Sequence, residues 1–283
     1  MQLSRFLTVC AMSSVIVLSA CGGQSQQSTA PASAAQGGDK PAATQNIKVG
    51  VMSGPEQQVA ETAVKVAKEK YNLNVELVLF NDYALPNGAV SKGDLDVNAM
   101  QHKPYLDKNS QENNYKNLVI VGNTFVYPLA GYSKKIKNIS ELKEGAVVAV
   151  PNDPSNLARA LILLEKQGLV KLKDNKNLFS TSMDIVENPK KLKVKEVDTS
   201  IAAKALDDVD LAVVNNTYAG QVGLTVENAV FIEDKDSPYV NIIVSRDDNK
   251  DSDAIKNFVK AYQSEEVYEE AKKHFKDGVV KGW

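Results

Sequence analysis

Short apolar runs alternate with helical patterns from residue 47 onward, and this alternation constrains the fold more than any other feature. Residues 47–51 (Ile-Lys-Val-Gly-Val) predict a buried strand. Apolar side chains then recur at helical spacing as far as Tyr71, and residues 75–80 form a second apolar run. This spacing indicates an amphipathic helix between two strands. Strands that alternate with helices favour a mainly parallel sheet covered on both faces.

The same alternation continues along the chain and separates into two sets. Asp153 and Pro154 predict the start of a helix, as N-cap and first helical residue, and Gly168 predicts its end. The other predicted elements are a short helix at 85–92, strands at 96–100, 118–121, 146–150, 211–214, 230–232 and 239–244, and an amphipathic helical segment at 251–275. Proline marks both breaks between the two sets, at Pro128 and Pro238.

The N-terminal region has a different pattern. Arg5 precedes an apolar run over residues 6–18, and Leu-Ser-Ala leads from this run into Cys21. Charge, apolar core and small residues predict a secretory signal peptide over residues 1–20. The run is well short of the roughly 20 residues that a transmembrane helix needs. Residues 18–21 resemble the lipobox of bacterial lipoproteins. That resemblance implies cleavage before Cys21, its acylation with palmitate among the acyl groups, and lipid anchoring on the periplasmic side or cell surface.

Residues 21–46 are then expected to form a flexible tether. The segment is rich in Gly, Ser, Gln, Ala and Pro and has no large apolar residue. It therefore buries too little surface to offset the entropy of ordering. The body that follows has roughly 240 residues, enough for two modest domains. It contains no cysteine, because Cys10 lies in the signal peptide and Cys21 carries the lipid, so its stability must come from its core.

Charge and histidine content argue against several classes of function. The chain carries 33 basic and 35 acidic residues, a formal net charge of −2, so nothing indicates a nucleic-acid partner. Its two histidines, His102 and His274, are far apart in the sequence. The sequence shows no phosphate-binding loop, nucleophile elbow or metal-ligand cluster. We therefore expect no enzyme, no cofactor and no metal.

Five short motifs carry the strongest functional signal. In chain order they are Phe-Asn-Asp-Tyr (80–83) with Pro-Asn (86–87), Gln-His-Lys-Pro-Tyr-Leu (101–106), Pro-Asn-Asp-Pro-Ser-Asn-Leu-Ala-Arg (151–159), Val-Val-Asn-Asn-Thr-Tyr-Ala (213–219) and Ser-Pro-Tyr-Val-Asn (237–241). Each motif alone is a weak signal. Together and in this order they resemble the methionine-binding lipoproteins of bacterial ABC importers, over essentially the whole body.

The resemblance implies an α/β fold of the periplasmic-binding-protein type 2, with two lobes and the ligand in the cleft between them. Lobe 1 would take residues 47–128 and 241–283, and lobe 2 residues 129–240, so the chain would cross between the lobes twice. The implied function is capture of methionine and its delivery, by closure of the lobes, to an ABC permease driven by a cytoplasmic ATPase. L-Methionine is the expected ligand, with D-methionine as a second candidate. The alternative is another small apolar amino acid or a short peptide.

A free amino acid presents a carboxylate and an ammonium, and the motifs contain partners for both. Arg159 is expected to bind the carboxylate through two parallel hydrogen bonds, with Asn156 on the same side of the helix. Spacing alone favours a solvated surface arginine, and the resemblance favours ligand contact. Asn215 and Asn241 are expected at the amino end because an amide has both an acceptor and donors. A buried turn or cap asparagine is their alternative, and Asn216 is expected to cap the next helix.

The expected pocket for the ligand side chain is formed by Tyr83, Met100, His102 and Tyr105. A thioether is polarizable and contacts aromatic rings favourably. For His102 and Tyr105 the alternative is a role in packing alone. The family usually carries phenylalanine where this chain has Met100, and a more flexible side chain leaves the discrimination between similar ligands open.

Overall fold

Residues 45–283 fold into two large β-sheets and one two-stranded sheet, with helices packed on the large sheets, and these are the residues that the computed structural model describes. The predicted signal peptide, Cys21 and residues 22–44 of the predicted tether lie outside them. Residues 45–283 belong to one compact unit. No helix within them is long and apolar enough to cross a bilayer.

The order of helices and strands follows the predicted alternation closely. The strands are β1 (Gln45–Met52), β2 (Leu73–Phe80), β3 (Val97–His102), β4 (Leu118–Val126), β5 (Ala130–Tyr132), β6 (Val147–Pro151), β7 (Lys171–Leu172), β8 (Ile185–Glu187), β9 (Lys193–Val197), β10 (Leu211–Val214), β11 (Phe231–Ile232), β12 (Val240–Arg246) and β13 (Val280–Lys281). The helices are α1 (Pro55–Tyr71), α2 (Pro86–Lys92), α3 (Lys103–Asn113), α4 (Pro154–Lys166), α5 (Asn216–Gln221), α6 (Asp253–Tyr262) and α7 (Glu265–Phe275).

The first sheet has the strand order β13-β4-β12-β3-β1-β2 and is mixed. Strand β1 pairs in parallel with β2 and β3, whereas β12 runs antiparallel to both β3 and β4. The expectation of a mainly parallel sheet is therefore wrong. The strands are mixed for a topological reason. The chain leaves the sheet at the end of β4 and returns at the same edge to start β12, so β12 must run antiparallel to β4.

The second sheet has the order β11-β5-β10-β6-β9 and is also mixed. Strand β6 is parallel to β9 and β10, and β5 is antiparallel to β10 and β11. The chain passes from the first sheet to the second between β4 and β5, and returns between β11 and β12. These two crossings contain Pro128 and Pro238, the residues at which the sequence predicted breaks.

Each sheet has its own apolar core. On the first, α1, α6 and α7 cover the sheet with side chains such as Ala63 and Phe258, both fully buried. On the second, α4 contributes a buried stripe of Leu157, Leu161 and Leu164. Burying a leucine side chain stabilises a fold by about 1.5–3 kcal/mol. The stripe therefore fixes the rotation of α4, and with it the direction in which Arg159 points.

Two helical predictions need correction. The segment 251–275 is two helices, because Ser264 adopts an extended conformation as the N-cap of α7 and ends the continuous run. Helix α3 was not predicted. It buries only Pro104 and Leu106, so its apolar periodicity is weak. Its start is fixed by His102, whose side chain accepts a hydrogen bond from the backbone N–H of Tyr105 at 3.2 Å.

Candidate functional site

A partly enclosed cavity lies between the two sheets, at the carboxyl ends of β3 and β10. The carboxyl ends of parallel strands are the usual ligand-binding edge of α/β folds. The lining residues are Tyr83, Met100, Gln101, His102, Tyr105, Tyr127, Asn156, Arg159, Asn215, Asn216, Thr217 and Asn241. All eight residues that the sequence predicted as ligand contacts are among them.

A β-bulge places Met100 in the cavity. In the pairing of β3 with β12, Ile242 lies opposite Gln101 and Ile243 opposite Ala99, so Met100 is an extra residue on β3. A bulge turns successive side chains away from strict alternation and re-aims them. Both Met100 and Gln101 therefore line the cavity although they are neighbours on one strand. Met100 is 2% exposed and packs with residues of both sheets.

Asp153 sets the orientation of the Asn156 amide. Its carboxylate caps α4 by accepting from the backbone N–H of Asn156 at 3.0 Å, which confirms the predicted N-cap. The same carboxylate also accepts twice from Asn156 Nδ2, at 3.0 Å to each oxygen. A carboxylate only accepts hydrogen bonds, so the amide nitrogen of Asn156 must face Asp153. The amide oxygen of Asn156 then points to the cavity side.

Two groups donate to that amide oxygen. Asn215 Nδ2 lies 2.9 Å from it and His102 Nε2 lies 3.1 Å from it. Because Asn215 donates through its nitrogen, its own oxygen Oδ1 is left facing the cavity. This oxygen is buried and has no hydrogen-bond partner among residues 45–283. A buried acceptor without a partner is costly, and a cationic donor from a ligand would satisfy it.

His102 is held as a neutral ring. Burial lowers its pKa to about 3, and the nearby positive charge of Arg159 adds to that effect. Its Nδ1 accepts from the backbone of Tyr105, so its proton lies on Nε2 and is donated to Asn156. His102 is thus a buried histidine with both ring nitrogens hydrogen-bonded, and it also lines the cavity. The sequence left open a role in packing and a role in ligand contact, and this position is compatible with both.

Arg159 is buried and already has a partner. It is 3% exposed. Its Nε donates to Oε1 and Oε2 of Glu233 at 3.0 and 3.2 Å. Its Nη2 donates to the same Oε2 and to the carbonyl of Tyr127, the latter at 3.0 Å. The ring of Tyr239 lies 4.5 Å from its Cζ. The solvated surface arginine favoured by spacing alone is therefore wrong. The hydrogen bonds of Arg159 within residues 45–283 use Nε and Nη2, which leaves Nη1 as a donor for a ligand.

Aromatic rings form the opposite wall of the cavity. Tyr83 packs against Tyr105 with ring centroids 5.8 Å apart and against Tyr218 at 5.0 Å. The phenol oxygen of Tyr127, which lines the cavity, is buried without a hydrogen-bond partner in the described part of the chain. An acceptor for a cation, a donor for an anion and an aromatic wall thus surround one small space, which suits a zwitterion with an apolar side chain.

Several of these residues were missed or misassigned from the sequence. Glu233 lies between the motifs and follows a two-residue strand, so no local pattern marks it. Gln101 was quoted only as part of a motif, and its side chain lies in a buried amide cluster with Asn87 at 2.8 Å. Asn216 does not cap α5, because it is the first residue of that helix and its Nδ2 donates to the carbonyl of Gly278 at 3.5 Å. The prediction placed the cap one residue too late.

Comparison with known proteins decides the family. The sequence profile described as NlpA lipoprotein matches residues 47–283. The chain belongs to the NlpA lipoprotein family. A relative from Haemophilus influenzae, named as a probable D-methionine-binding lipoprotein MetQ, is 68% identical over 284 residues and covers 100% of both chains.

Solved structures of similar proteins have the same fold as this NlpA-family chain. A nutrient-binding protein from Burkholderia cenocepacia, solved bound to methionine, has a TM-score of 0.81 and 47% identity, covering 84% of this chain and 100% of that one. A periplasmic substrate-binding protein of an ABC transporter from Coxiella burnetii has a TM-score of 0.80 and 45% identity, covering 83% and 100%. These likenesses confirm the predicted two-lobe periplasmic-binding-protein fold.

Proposed function

We propose that this NlpA-family protein captures free methionine in the cavity and delivers it to an ABC importer. The observation that carries the proposal is that one hydrogen-bond acceptor and one hydrogen-bond donor in the same cavity have no partner in the protein. The buried oxygen Asn215 Oδ1 lacks a donor and Arg159 Nη1 lacks an acceptor. An amino acid supplies both, since its ammonium donates and its carboxylate accepts. The names of the relatives, which are binding proteins and not enzymes, support the same function.

In the proposed complex each predicted residue has a distinct role. Arg159 binds the carboxylate with its free Nη1, held in place by Glu233. Asn215 and Asn241 bind the amino end, and Asn156 orients Asn215. The side-chain pocket is the remaining group, namely Tyr83, Met100, His102 and Tyr105. One relative is named for D-methionine and another structure contains methionine, so both enantiomers are candidate ligands.

Delivery would depend on opening and closing of two lobes. We assign residues 47–128 and 241–283 to lobe 1 and residues 129–240 to lobe 2, with hinges at the two crossings. Support comes from the direct bond between Tyr83 Oη and Thr217 Oγ1, 2.9 Å long, which joins the two halves in a closed form. A ligand that contacts both lobes favours the closed form. Small-angle scattering tests this, because an unchanged radius of gyration after removal of bound methionine would count against closure.

The partners are inferred from the same family relationship. The closed form would dock on a membrane permease driven by a cytoplasmic ATPase. A lipid on Cys21 would hold the protein at a membrane of the cell envelope. The tether would end at residue 44, and not at 46 as the sequence predicted, because Gln45 and Asn46 belong to β1. The relative from Haemophilus influenzae carries the word lipoprotein in its name, which supports the anchor.

Mass spectrometry of the ligand that co-purifies with the protein tests the function most economically. The full chain is purified in detergent, denatured, and the released small molecules are identified, with a chiral separation for the two enantiomers. Methionine in near-stoichiometric amount is the expected result. Recovery of another apolar amino acid or of a short peptide would favour the alternative ligand class.

A further inference from the structure

A buried carboxylate close to the cavity has no role in the proposed binding of methionine. Glu56 lies in the first turn of α1, on the side of the first sheet, and is 2% exposed. It forms no ion pair with any residue in the range 45–283. A buried acid is costly unless a neighbour compensates it. The hydrogen-bond partner of Glu56 therefore indicates what this buried carboxylate does.

The partner of Glu56 lies in the other half of the molecule. Thr217 of α5 donates its hydroxyl to Glu56 Oε1 and accepts from the hydroxyl of Tyr83 at 2.9 Å. Burial raises the pKa of Tyr83 well above its usual range, so this phenol stays a donor. The three groups form one directed chain from Tyr83 through Thr217 to Glu56. Tyr83 and Glu56 belong to the half of the molecule that contains the first sheet, and Thr217 belongs to the half that contains the second. This series of hydrogen bonds therefore crosses the cleft and returns.

The start of α1 packs tightly against α5 beside these hydrogen bonds. A Cβ atom built on Gly220 of α5 would lie 2.8 Å from Cγ of Pro55, the residue before Glu56. Gln221 Nε2 donates across the same junction to the carbonyl of Ser53 at 3.0 Å. The start of α1 and the helix α5 therefore approach as closely as the backbone allows. This contact exists only while the two halves are together.

Tyrosines from several packed elements face the Glu56 carboxylate. Tyr83 comes from the loop after β2, Tyr127 from the first crossing, Tyr218 from α5 and Tyr262 from α6. Burial is the main cause that raises the pKa of each phenol, and the negative charge of Glu56 adds to it. The N-terminus of α1 favours a negative charge, but burial outweighs it and raises the pKa of Glu56 to about 7. The hydrogen bond from Thr217 opposes that rise.

We propose that Glu56 is a positioning residue for ligand capture, which acts through Thr217 to hold Tyr83 against the ligand side chain and to clasp the two halves in the closed form. This inference rests on the proposed binding of methionine and adds Glu56, which does not line the cavity, and a linking role for Thr217, which does. In this proposal, opening of the cleft returns Glu56 to water and closure buries it again. Closure would then be coupled to the uptake of a proton by this carboxylate.

The sign of the effect follows from linkage. A carboxyl whose pKa is higher in the closed form binds more protons there, so closure is favoured as pH falls through that range. If the open form has the ordinary value of 4.5 and the closed form about 7, binding at pH 6 takes up as much as ~0.9 proton. His102 acts in the opposite direction, because its pKa is lowered in the closed form. The contribution of Glu56 is therefore measured as a difference between variants.

Titration calorimetry of methionine binding tests the clasp. The full chain in detergent, stripped of bound ligand, is titrated at pH 6 in buffers of different ionisation enthalpy, which gives the number of protons taken up. We expect Glu56→Gln to take up at least half a proton fewer than the parent protein. The control, Glu69→Gln on the exposed face of the same helix, should leave proton uptake unchanged.

Affinity separates positioning from mere folding. Glu56→Ala removes the acceptor of Thr217, and we expect a loss of roughly tenfold, with a smaller loss in Glu56→Gln because its amide oxygen still accepts. Thr217→Val removes the hydroxyl that links Tyr83 to Glu56, and it replaces the Glu56 variants if these fold poorly. It should weaken methionine binding to a similar extent. Equal proton uptake in the parent and Glu56→Gln, with parental affinity in Thr217→Val, would overturn the clasp alone. A parent protein that does not bind methionine would overturn the proposed function together with it.

Discussion

The amide nitrogen of Asn215 donates to the amide oxygen of Asn156 over 2.9 Å, and this bond determines which atom of Asn215 faces the cavity. The orientation originates one step earlier, at the Asp153 carboxylate, which accepts both from the backbone and from the side chain of Asn156. A helix cap and a ligand-binding acceptor are thus parts of one hydrogen-bond chain. The most polar end of the cavity is ordered before any ligand arrives, which reduces the entropy lost on binding.

Replacing Asp153 by Asn tests this chain. Asparagine is as good an N-cap as aspartate, so α4 should remain intact. Its amide, however, both donates and accepts, and the Asn156 amide loses its fixed direction. We expect methionine binding to weaken by about 1.5–3 kcal/mol, which is roughly tenfold to a hundredfold, as measured by titration calorimetry. Asp174→Asn, whose exposed carboxylate accepts from the backbone N–H of Lys176 in a turn of the second half, is the matched control and should bind normally.

The pair of Arg159 and Glu233 should affect both stability and binding. Arg159→Ala leaves the Glu233 carboxylate buried without its cation, and we expect a loss of about 3–5 kcal/mol in the free energy of unfolding. The double variant Arg159→Met with Glu233→Gln removes both charges and should recover most of that stability. Methionine affinity should stay roughly 30-fold to several thousand-fold below that of the parent. Recovery of binding in the double variant would exclude Arg159 as the carboxylate partner.

The neutral state of His102 predicts a dependence of stability on pH. Its pKa falls to about 3 in the folded protein because of burial, against about 6.5 when unfolded. The unfolded chain therefore binds the extra proton, and this contribution to stability is present above pH 6.5 and is lost as the pH falls towards 3. Between pH 7 and pH 5 it amounts to about 2 kcal/mol.

Denaturant unfolding at the two pH values checks the prediction with His102→Gln. The gap in stability between the parent and this variant should shrink by about that amount at pH 5. Glu56 contributes with the opposite sign, since its pKa is raised to about 7, and it is common to both proteins. A gap that stays constant with pH would show that His102 becomes protonated in the folded state.

Some of the site was predictable because it depends on local chemistry. Asp153 followed by Pro154 is a helix start of a common kind, and the leucines at positions 157, 161 and 164 determine the face of α4 that is buried. Those two facts place Arg159 on the cavity side. The order of the apolar runs likewise predicted most strands, since a strand of this class needs only a short apolar segment between turns.

The residues that sequence patterns missed depend on distant contacts. Glu233 is 74 positions from Arg159 in the chain, and Glu56 is 161 positions from Thr217. No periodicity relates such pairs, because they meet only after both crossings have formed. The β-bulge at Met100 likewise could not be predicted from the local sequence, because it depends on how β3 pairs with β12. The mixed character of both sheets follows from the same crossings.

The anchor should be separable from the binding site. Cys21→Ser removes the thiol that the lipid would occupy, whereas the cavity is built from residues 83–241. We expect the variant to appear in the soluble fraction of the cell envelope and to bind methionine with parental affinity. Membrane fractionation followed by calorimetry measures both properties. Loss of binding together with loss of attachment would show that the two are linked.

The most direct measurement compares methionine with two analogues that each lack one charged end. Methioninamide has no carboxylate for Arg159, and the 2-hydroxy analogue has no ammonium for Asn215. Calorimetry on the stripped full chain should show tight binding of methionine and a loss of at least about tenfold for each analogue, because a buried charged partner is left unmet in each case. Equal affinity for all three ligands, or no binding of methionine, would contradict a cavity that recognises both ends of the amino acid.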